Sequence, residues 1–203
     1  MKSEQGPVDQ VKKRMGVYSG SFNPIHLGHQ KLAEYLVDNQ YVDEVWFVVS
    51  PCNPLKKQSD LLDEYLRLDM LMLAIHNKPN LKASAIEFTM PIPSYSIDTL
   101  HELKSQFPDY QFELIIGSDN ALVFDQWKNH LQLLNEFPVL VYPRRGFDFT
   151  EVADKYPQMK LLNTPFYDIS SSLIRDFIAK KKDASLWLHP SVYEFIIENN
   201  LYQ

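Results

Sequence analysis

Two histidines three residues apart, His26 and His29, are the clearest candidates for chemistry in the chain. They follow the turn-forming stretch 20–25, which comes after the short apolar run 15–18 and leads into an amphipathic segment from residue 27. This order predicts a strand, a tight turn and a helix. Such a turn points free backbone N–H groups and the positive end of the helix dipole at one spot. Because histidines placed there can donate to phosphate oxygens, the pattern predicts a phosphate-binding site.

Two other interpretations of this stretch stay open. Paired histidines at the start of a helix could form half of a metal site, but no third ligand stands nearby at a recognisable spacing, and the only cysteine is Cys52. The stretch could also be an ordinary helix start in which Asn23 and Pro24 serve turn chemistry. The phosphate interpretation is strengthened by the three serines at 170–172, which precede Arg175.

Length and composition limit the class of protein. The 203 residues suffice for one α/β domain and are too few for two of full size. We predict a single domain over residues 14–203 after a polar, flexible tail over 1–13. The net charge of -6 argues against binding to nucleic acid or to an anionic membrane. The single cysteine and the polar start of the chain predict a cytoplasmic protein.

Short apolar runs alternate with helical patterns, which is typical of βαβ units and a parallel sheet covered on both faces. The predicted strands lie near residues 14–19, 45–50, 81–86, 112–117, 138–142 and 159–163. The predicted helices lie near residues 27–39, 61–77, 96–106 and 129–136, and a C-terminal helical appendage follows at 171–181 and 190–200. The expected fold class is α/β, a doubly wound (Rossmann-like) parallel sheet.

In such a sheet the ligand lies beyond the carboxyl ends of the strands, where the strand order reverses. Five residues come after predicted strands and should converge on one cleft: Gly20, Ser50, Gly117, Pro143 and Ser170. The polar loop 51–60 could close over a substrate or be a plain solvated connection.

Two stretches resemble signatures of the nucleotidyltransferase superfamily. Residues 20–29 are similar to its G-x-F-(D/N)-P-x-H-x-G-H motif. Residues 169–175 resemble its I-S-S-T-x-I-R motif, with Ser172 where threonine is usual. The resemblance implies transfer of a nucleoside monophosphate from a triphosphate to an acceptor.

Further segments resemble one branch, the bacterial nicotinate-nucleotide adenylyltransferases, over residues 14–203. The similar segments are 67–75, 93–100 and 115–120, followed by Trp127 and Lys128. The resemblance implies a step of NAD biosynthesis, in which the 5′-phosphate of nicotinate mononucleotide attacks the α-phosphorus of ATP and expels pyrophosphate. It also implies ATP as co-substrate and Mg²⁺ bound through the ATP phosphates, and we assign no metal-ligating residue.

The same resemblance assigns residues to the phosphate side of the site. The expected catalytic residues are His26, His29, Lys56 and Arg175. The expected ATP-binding residues are Gly20, Ser21, Phe22, Gly117, Asp119, Arg144, Ser171 and Ser172. The hydroxyls at 171 and 172 would act as short donors to the β- and γ-phosphates, and Asp119 would accept a ribose hydroxyl. Ser170 or Ser171 could equally be the cap of the late helix.

The alignment with the family motif does not fix which basic residue near the cleft binds phosphate. Many family members carry P-P-H-K after the second strand, whereas this chain has no histidine there, so the phosphate lysine is Lys56 or its neighbour Lys57. Arg67, Arg144 and Arg145 could add positive potential, and Arg144, directly after a strand, is the best placed.

For the acceptor, the resemblance implies Trp127 as a stacking platform for the pyridine, with a core role as the alternative. Ser94 and Tyr95, in a loop before a helix, would present side chains and backbone N–H groups to the nicotinate carboxylate. N–H donors favour the acid over the amide, because the carboxamide NH₂ offers them no acceptor. The expected partners are therefore ATP and nicotinate mononucleotide.

Other functions stay open at this stage. The chain could be an adenylyltransferase for nicotinamide mononucleotide or phosphopantetheine, or a non-catalytic nucleotide sensor. The sequence leaves the oligomeric state open, a homo-oligomer included.

Overall fold

The predicted strands form one parallel sheet in the computed structural model, which describes residues 12–51, 61–147 and 149–203. The strands are β1 (Lys13–Gly20), β2 (Glu44–Val49), β3 (Leu81–Ser84), β4 (Tyr110–Gly117), β5 (Val139–Tyr142) and β6 (Lys160–Leu161). Their order across the sheet is β3-β2-β1-β4-β5-β6. The predicted doubly wound α/β fold is confirmed.

The helices alternate with these strands. They are α1 (Leu27–Asp38), α2 (Glu64–Ile75), α3 (Ser96–Gln106), α4 (Ser118–Leu122), α5 (His130–Glu136), α6 (Phe149–Lys155), α7 (Ser171–Ala179) and α8 (Pro190–Glu198). Short 3-10 turns lie at Ile86–Thr89, Phe124–Gln126 and Ser185–Trp187. The sequence did not predict α4 and α6, because helices of 5 and 7 residues give too few turns for a periodic pattern.

The sheet separates two apolar layers. Helices α1, α2, α7 and α8 cover one face through residues such as Leu36, Leu71 and Ile196. Helices α3, α4, α5 and α6 cover the other, with Leu100 and Leu133 in its core. The C-terminal helices predicted as an appendage therefore complete the first layer and bury their apolar faces against it.

Strands β1 and β4 stop pairing before their carboxyl ends, and this position is called the crevice below. The two strands pair from Lys13 with Tyr110 to Val17 with Leu114, and the last three residues of each strand lie beyond this ladder. Strand order reverses here, because β1 is followed on one side by β2 and β4 on the other by β5. This is the position at which doubly wound sheets bind their ligands.

The first described residues lead directly into the sheet. Strand β1 begins at Lys13, whose Nζ donates to Glu44 Oε1 at 2.5 Å. The prediction of a flexible tail falls mostly on residues 1–11, which lie outside the described residues. Within the described ranges, none of the helices has the length and apolar character needed to cross a membrane.

Candidate active site

The turn after β1 is shaped by a buried aromatic ring. Phe22 has φ 45° and is 3% exposed. Its ring lies edge-on to Tyr18 and His29, at centroid distances of 5.8 and 5.2 Å. A Cβ on Gly20 would lie 3.0 Å from the tip of this ring. Since the left-handed conformation costs a residue of this size about 1–3 kcal/mol, ring packing and the bare glycine must hold the turn in place.

His26 and His29 cap α1 reciprocally. The backbone N–H of His29 donates to Nδ1 of His26 at 3.4 Å, and the backbone N–H of His26 donates to Nδ1 of His29 at 3.3 Å. The rings stack with centroids 3.6 Å apart and 18° between their planes. Because Nδ1 accepts in both rings, the proton of each neutral imidazole lies on Nε2. In both rings Nε2, not Nδ1, is therefore the atom that carries the donor proton.

His26 is a neutral donor. Burial, together with the positive charge of Arg144, lowers the pKa of His26 from 6.5 to about 3. The residue is only 6% exposed. At neutral pH it can therefore offer a hydrogen bond to a phosphate oxygen but adds no charge.

The second signature stretch docks on the first. Ser171 Oγ donates to the carbonyl of Pro24 at 2.9 Å, and Arg175 Nη1 donates to the carbonyl of Asn23 at 2.8 Å. Ser170 is the N-cap of α7, as one interpretation of the serine run predicted. Residues 147 positions apart in the chain thus meet at the crevice.

These contacts correct the expected role of one hydroxyl. The single hydroxyl proton of Ser171 goes to Pro24, so in this arrangement its side chain cannot also donate to a phosphate. Ser172 Oγ accepts from Arg175 Nη2 at 3.4 Å and keeps its own proton. Arg175 has five N–H donors, more than these two contacts use.

Asn23 links three distant parts of the chain. Its carbonyl accepts from Arg175, and its Oδ1 accepts from the hydroxyl of Tyr202 at 2.8 Å and the N–H of Leu62 at 3.4 Å. Burial raises the pKa of Tyr202, so this phenol remains a donor. The sequence marked Asn23 as a turn residue and gave no signal for Tyr202, since nothing local connects positions 179 apart.

Arg67 does not line the cleft, which corrects its expected contribution to the potential. It is fully buried, and its guanidinium donates to the carbonyls of Ser21, Ser50 and Leu62 at 2.6, 2.8 and 2.9 Å. These bonds tie the turn after β1 to the end of β2. Arg145 is also committed elsewhere, because its exposed side chain pairs with Asp168 at 3.1 Å.

The ends of β4 and β5 form the other side of the crevice. Arg144 Nε lies 3.5 Å from Asp119 Oδ2, and the backbone N–H of Arg144 donates to Ser118 Oγ at 2.9 Å. A Cβ on Gly117 would lie 2.7 Å from Cδ of Arg144 and even closer to the Asp119 carboxylate. Both side chains therefore lie directly over the glycine. Asp119 Oδ1 is buried without a hydrogen-bond partner among the described residues.

Two buried tyrosines join these two sides. The hydroxyls of Tyr18 and Tyr142 are 3.0 Å apart, and the Tyr18 ring lies edge-on to His29 at 5.9 Å. The positive charge of Arg144 lies near Tyr142 and opposes part of the effect of burial on the pKa of that phenol. Burial raises the pKa of both phenols, so they stay protonated. The pair holds the histidines and Arg144 in one network.

On the predicted acceptor side, the hydroxyl of Ser94 is already used. Ser94 is buried, and its Oγ donates to Glu87 Oε2 at 2.5 Å. A hydroxyl has one proton, so this side chain cannot donate to a carboxylate, contrary to the sequence-based expectation. Tyr95 is the N-cap of α3 and makes no side-chain capping bond. The backbone N–H groups at the start of α3 remain as candidate donors.

Trp127 and Tyr95 belong to neighbouring segments. The Trp127 ring is partly buried, 5.2 Å from Phe124, and its Nε1 has no partner within the described part of the chain. Lys128 Nζ lies 2.7 Å from Asp98 Oδ2 and 4.8 Å from the centre of the Tyr95 ring. Lys128 thus ties the segment of Trp127 to the first turn of α3.

One expected catalytic residue cannot be located. Lys56, like Lys57, falls in residues 52–60, which lie outside the described residues, so its role stays a prediction. Among the residues that the structure describes, no group of three or more His, Cys, Asp or Glu side chains could hold a metal ion.

Comparison with known proteins identifies the family. Residues 17–177 match the family described as cytidylyltransferase-like. Proteins of Bacteroides fragilis and Bacteroides thetaiotaomicron, each named "Probable nicotinate-nucleotide adenylyltransferase", are 46% and 44% identical, covering 93% and 92% of both chains. The solved structure of Plasmodium falciparum nicotinic acid mononucleotide adenylyltransferase complexed with NaAD is 26% identical, with a TM-score of 0.81 over 94% of this chain and 97% of that one. The chain therefore belongs to the cytidylyltransferase-like family and, within it, to the nicotinate-nucleotide adenylyltransferases.

Proposed function

We propose that the protein transfers AMP from ATP to the 5′-phosphate of nicotinate mononucleotide, forming nicotinate adenine dinucleotide and pyrophosphate. The observation that carries the proposal is the docking of Arg175 and Ser171 onto the turn at Asn23 and Pro24, beside the stacked histidines. This assembles both signature stretches at the crevice between β1 and β4, where a nucleotide would bind.

The reaction needs no covalent nucleophile on the protein. The acceptor phosphate is already a competent nucleophile at neutral pH, so the protein has to align two anions and stabilise charge on the leaving pyrophosphate. His26 and His29 would donate to ATP phosphate oxygens from Nε2. Arg175 would supply fixed positive charge beside them, with the lysine at 56 or 57 as a second cation.

The adenosine would lie on the turn at Gly20, Ser21 and Phe22, facing the ends of β4 and β5. The unsatisfied Oδ1 of Asp119 would accept a ribose hydroxyl, and Arg144 would hold that carboxylate in place. We place Mg²⁺ on the triphosphate rather than on protein ligands, because the residues around the proposed phosphate positions are imidazole, hydroxyl and guanidinium donors. Bound there, Mg²⁺ would neutralise charge on the triphosphate oxygens.

On the acceptor side, Trp127 would stack on the pyridine and the start of α3 would present N–H groups to its carboxylate. The effect of Ser94 on the choice between the acid and the amide differs from the one that the sequence implied. Because its proton goes to Glu87, its oxygen can only accept, which a carboxamide NH₂ could use and a carboxylate could not. Preference for the acid therefore has to come from backbone N–H groups, and nicotinamide mononucleotide is the competing acceptor.

The test is pyrophosphate release from ATP and Mg²⁺ with three acceptors compared side by side: nicotinate mononucleotide, nicotinamide mononucleotide and phosphopantetheine. We expect a strong preference for the first. Turnover with only one of the others would preserve the ATP site and overturn the acceptor site. Nucleotide binding without turnover on any of them would favour a sensor. A cytoplasmic location is part of the same proposal, and the oligomeric state can be measured on the same sample.

A further inference from the structure

Glu87 is a buried carboxylate behind the loop that leads into α3. It lies in the 3-10 turn Ile86–Thr89 and is 3% exposed. Its Oε2 accepts from Ser94 Oγ at 2.5 Å, and its Oε1 accepts from Thr99 Oγ1 at 2.9 Å. The two carboxylate oxygens therefore hold hydroxyls on both sides of Tyr95.

Burial of the Glu87 side chain lowers the stability of the folded protein unless its polar contacts compensate. No lysine, arginine or histidine of the described residues forms an ion pair with Glu87, so its polar contacts are two neutral hydroxyls at the start of a helix. A buried polar group is destabilising unless its hydrogen bonds compensate, and an apolar residue would often fill such a place at least as well. A carboxylate has two acceptor oxygens at a fixed distance from each other. It can therefore hold two hydroxyl donors in fixed positions.

We infer that Glu87 is a positioning residue for the acceptor nucleotide, and this inference rests on the proposed function. Glu87 acts through Ser94 and Thr99, which it holds against the 3-10 turn. The loop containing Tyr95 and the first N–H groups of α3 are thereby set in place before the substrate arrives. Holding the proton of Ser94 also keeps that hydroxyl from reorienting toward the ligand.

Replacing Glu87 should affect the two substrates differently. Glu87 has no described contact with the histidines, Arg144 or Arg175, so loss of its charge should disturb the acceptor side and spare ATP. A purely structural role would instead lower thermal stability and weaken both substrates together.

The experiment measures steady-state constants for both substrates in the wild type and in Glu87→Gln, with thermal unfolding recorded for each. Glutamine keeps the shape but replaces one acceptor oxygen with an NH₂ donor, so one hydroxyl loses its partner. We expect the KM for nicotinate mononucleotide to rise about 10-fold, the scale of one hydrogen bond to a charged group, with the KM for ATP unchanged. Glu113→Gln is the matched control, because Glu113 is buried to a similar degree within β4 and is held by Gln111.

A second variant covers the case in which Glu87→Gln does not fold. Thr99→Val keeps the side-chain shape and removes the hydroxyl that donates to Glu87 Oε1 at 2.9 Å and also lies 3.2 Å from the carbonyl of Tyr95. It should raise the same KM selectively. Equal changes in both KM values, or an unchanged acceptor KM in a folded variant, would overturn the role of Glu87. An inactive wild type would instead count against the proposed function.

Discussion

Each backbone N–H of His26 and His29 donates to Nδ1 of the other residue, so the cap of α1 and the tautomer of both rings are set by the same two bonds. A capping box usually pairs a hydroxyl with a carboxylate or amide side chain, and here two imidazoles make the same exchange. The helix start thereby occupies both Nδ1 atoms and leaves the donor proton of each ring on Nε2.

Replacing His29 tests this arrangement. We expect His29→Ala to lower kcat about 100-fold, the scale of losing one preorganised donor to transition-state charge. It should also cost about 1 kcal/mol of unfolding free energy, because half of the reciprocal cap is lost. His76→Ala is the control, since His76 is an exposed histidine at the end of α2. A near-normal kcat in folded His29→Ala would remove this residue from the catalytic set.

The buried imidazole of His26 predicts a dependence of stability on pH. Its pKa is about 3 in the folded protein against an ordinary 6.5. Between these values the unfolded chain binds a proton at this position and the folded chain does not, so the free energy of unfolding falls as the pH drops from 6.5 toward 3. The slope from this group is at most about 1.4 kcal/mol per pH unit.

His26→Asn isolates that contribution, because asparagine is a good N-cap and does not titrate. Denaturant unfolding of both proteins between pH 6.5 and about 4.5 should show the wild type losing more stability than the variant. Above pH 6.5 the difference between them should be constant. A difference that stays constant throughout the acid range would mean that His26 is not held as a neutral ring.

The proposed binding of the pyridine of the acceptor nucleotide depends on Trp127. If its ring stacks on the pyridine, Trp127→Ala should raise the KM for nicotinate mononucleotide about 10-fold or more, as loss of base stacking does elsewhere, and leave the KM for ATP unchanged. Trp46→Ala provides the comparison, because Trp46 packs against Phe107 and Phe112 on the α3 face of the sheet. A large loss of stability with an unchanged acceptor KM in Trp127→Ala would assign that ring to the core.

The sequence predicted the sheet because its strands are short apolar runs whose burial on both faces leaves a strong local signal. It also predicted that the two signature stretches share one cleft, since residues after parallel strands converge. The sequence could not predict which acceptor each hydroxyl proton would reach. Ser94 and Ser171 were expected to donate to ligands, and the structure commits both protons to Glu87 and Pro24.

The position of Arg67 could not be predicted from the sequence for a similar reason. Arginine is a residue type that binds phosphate, and Arg67 lies on a helix near the cleft. Its actual partners are carbonyls of three backbone segments that are distant from one another in the sequence. The carbonyls of Ser21 and Ser50, directly after β1 and β2, accept from its guanidinium, and no local sequence pattern shows that these carbonyls lie beside it. Tyr202 and Glu87 were missed for the same reason, because their partners are set by tertiary packing.

Gly117 offers the sharpest test of the nucleotide side. Its missing side chain lets Asp119 and Arg144 lie over the end of β4, so Gly117→Ala must displace one or both of them. We expect the KM for ATP to rise about 10-fold while the acceptor KM stays near its normal value. Gly16→Ala is the matched control. Its Cβ would lie 2.5 Å from Cδ1 of Ile115 in the neighbouring strand β4, which should cost stability while leaving Asp119 and Arg144 in place. If both variants fold and Gly117→Ala binds ATP normally, then the cluster of Gly117, Asp119 and Arg144 lies outside the adenosine site, and the nucleotide must rest on the turn after β1 alone.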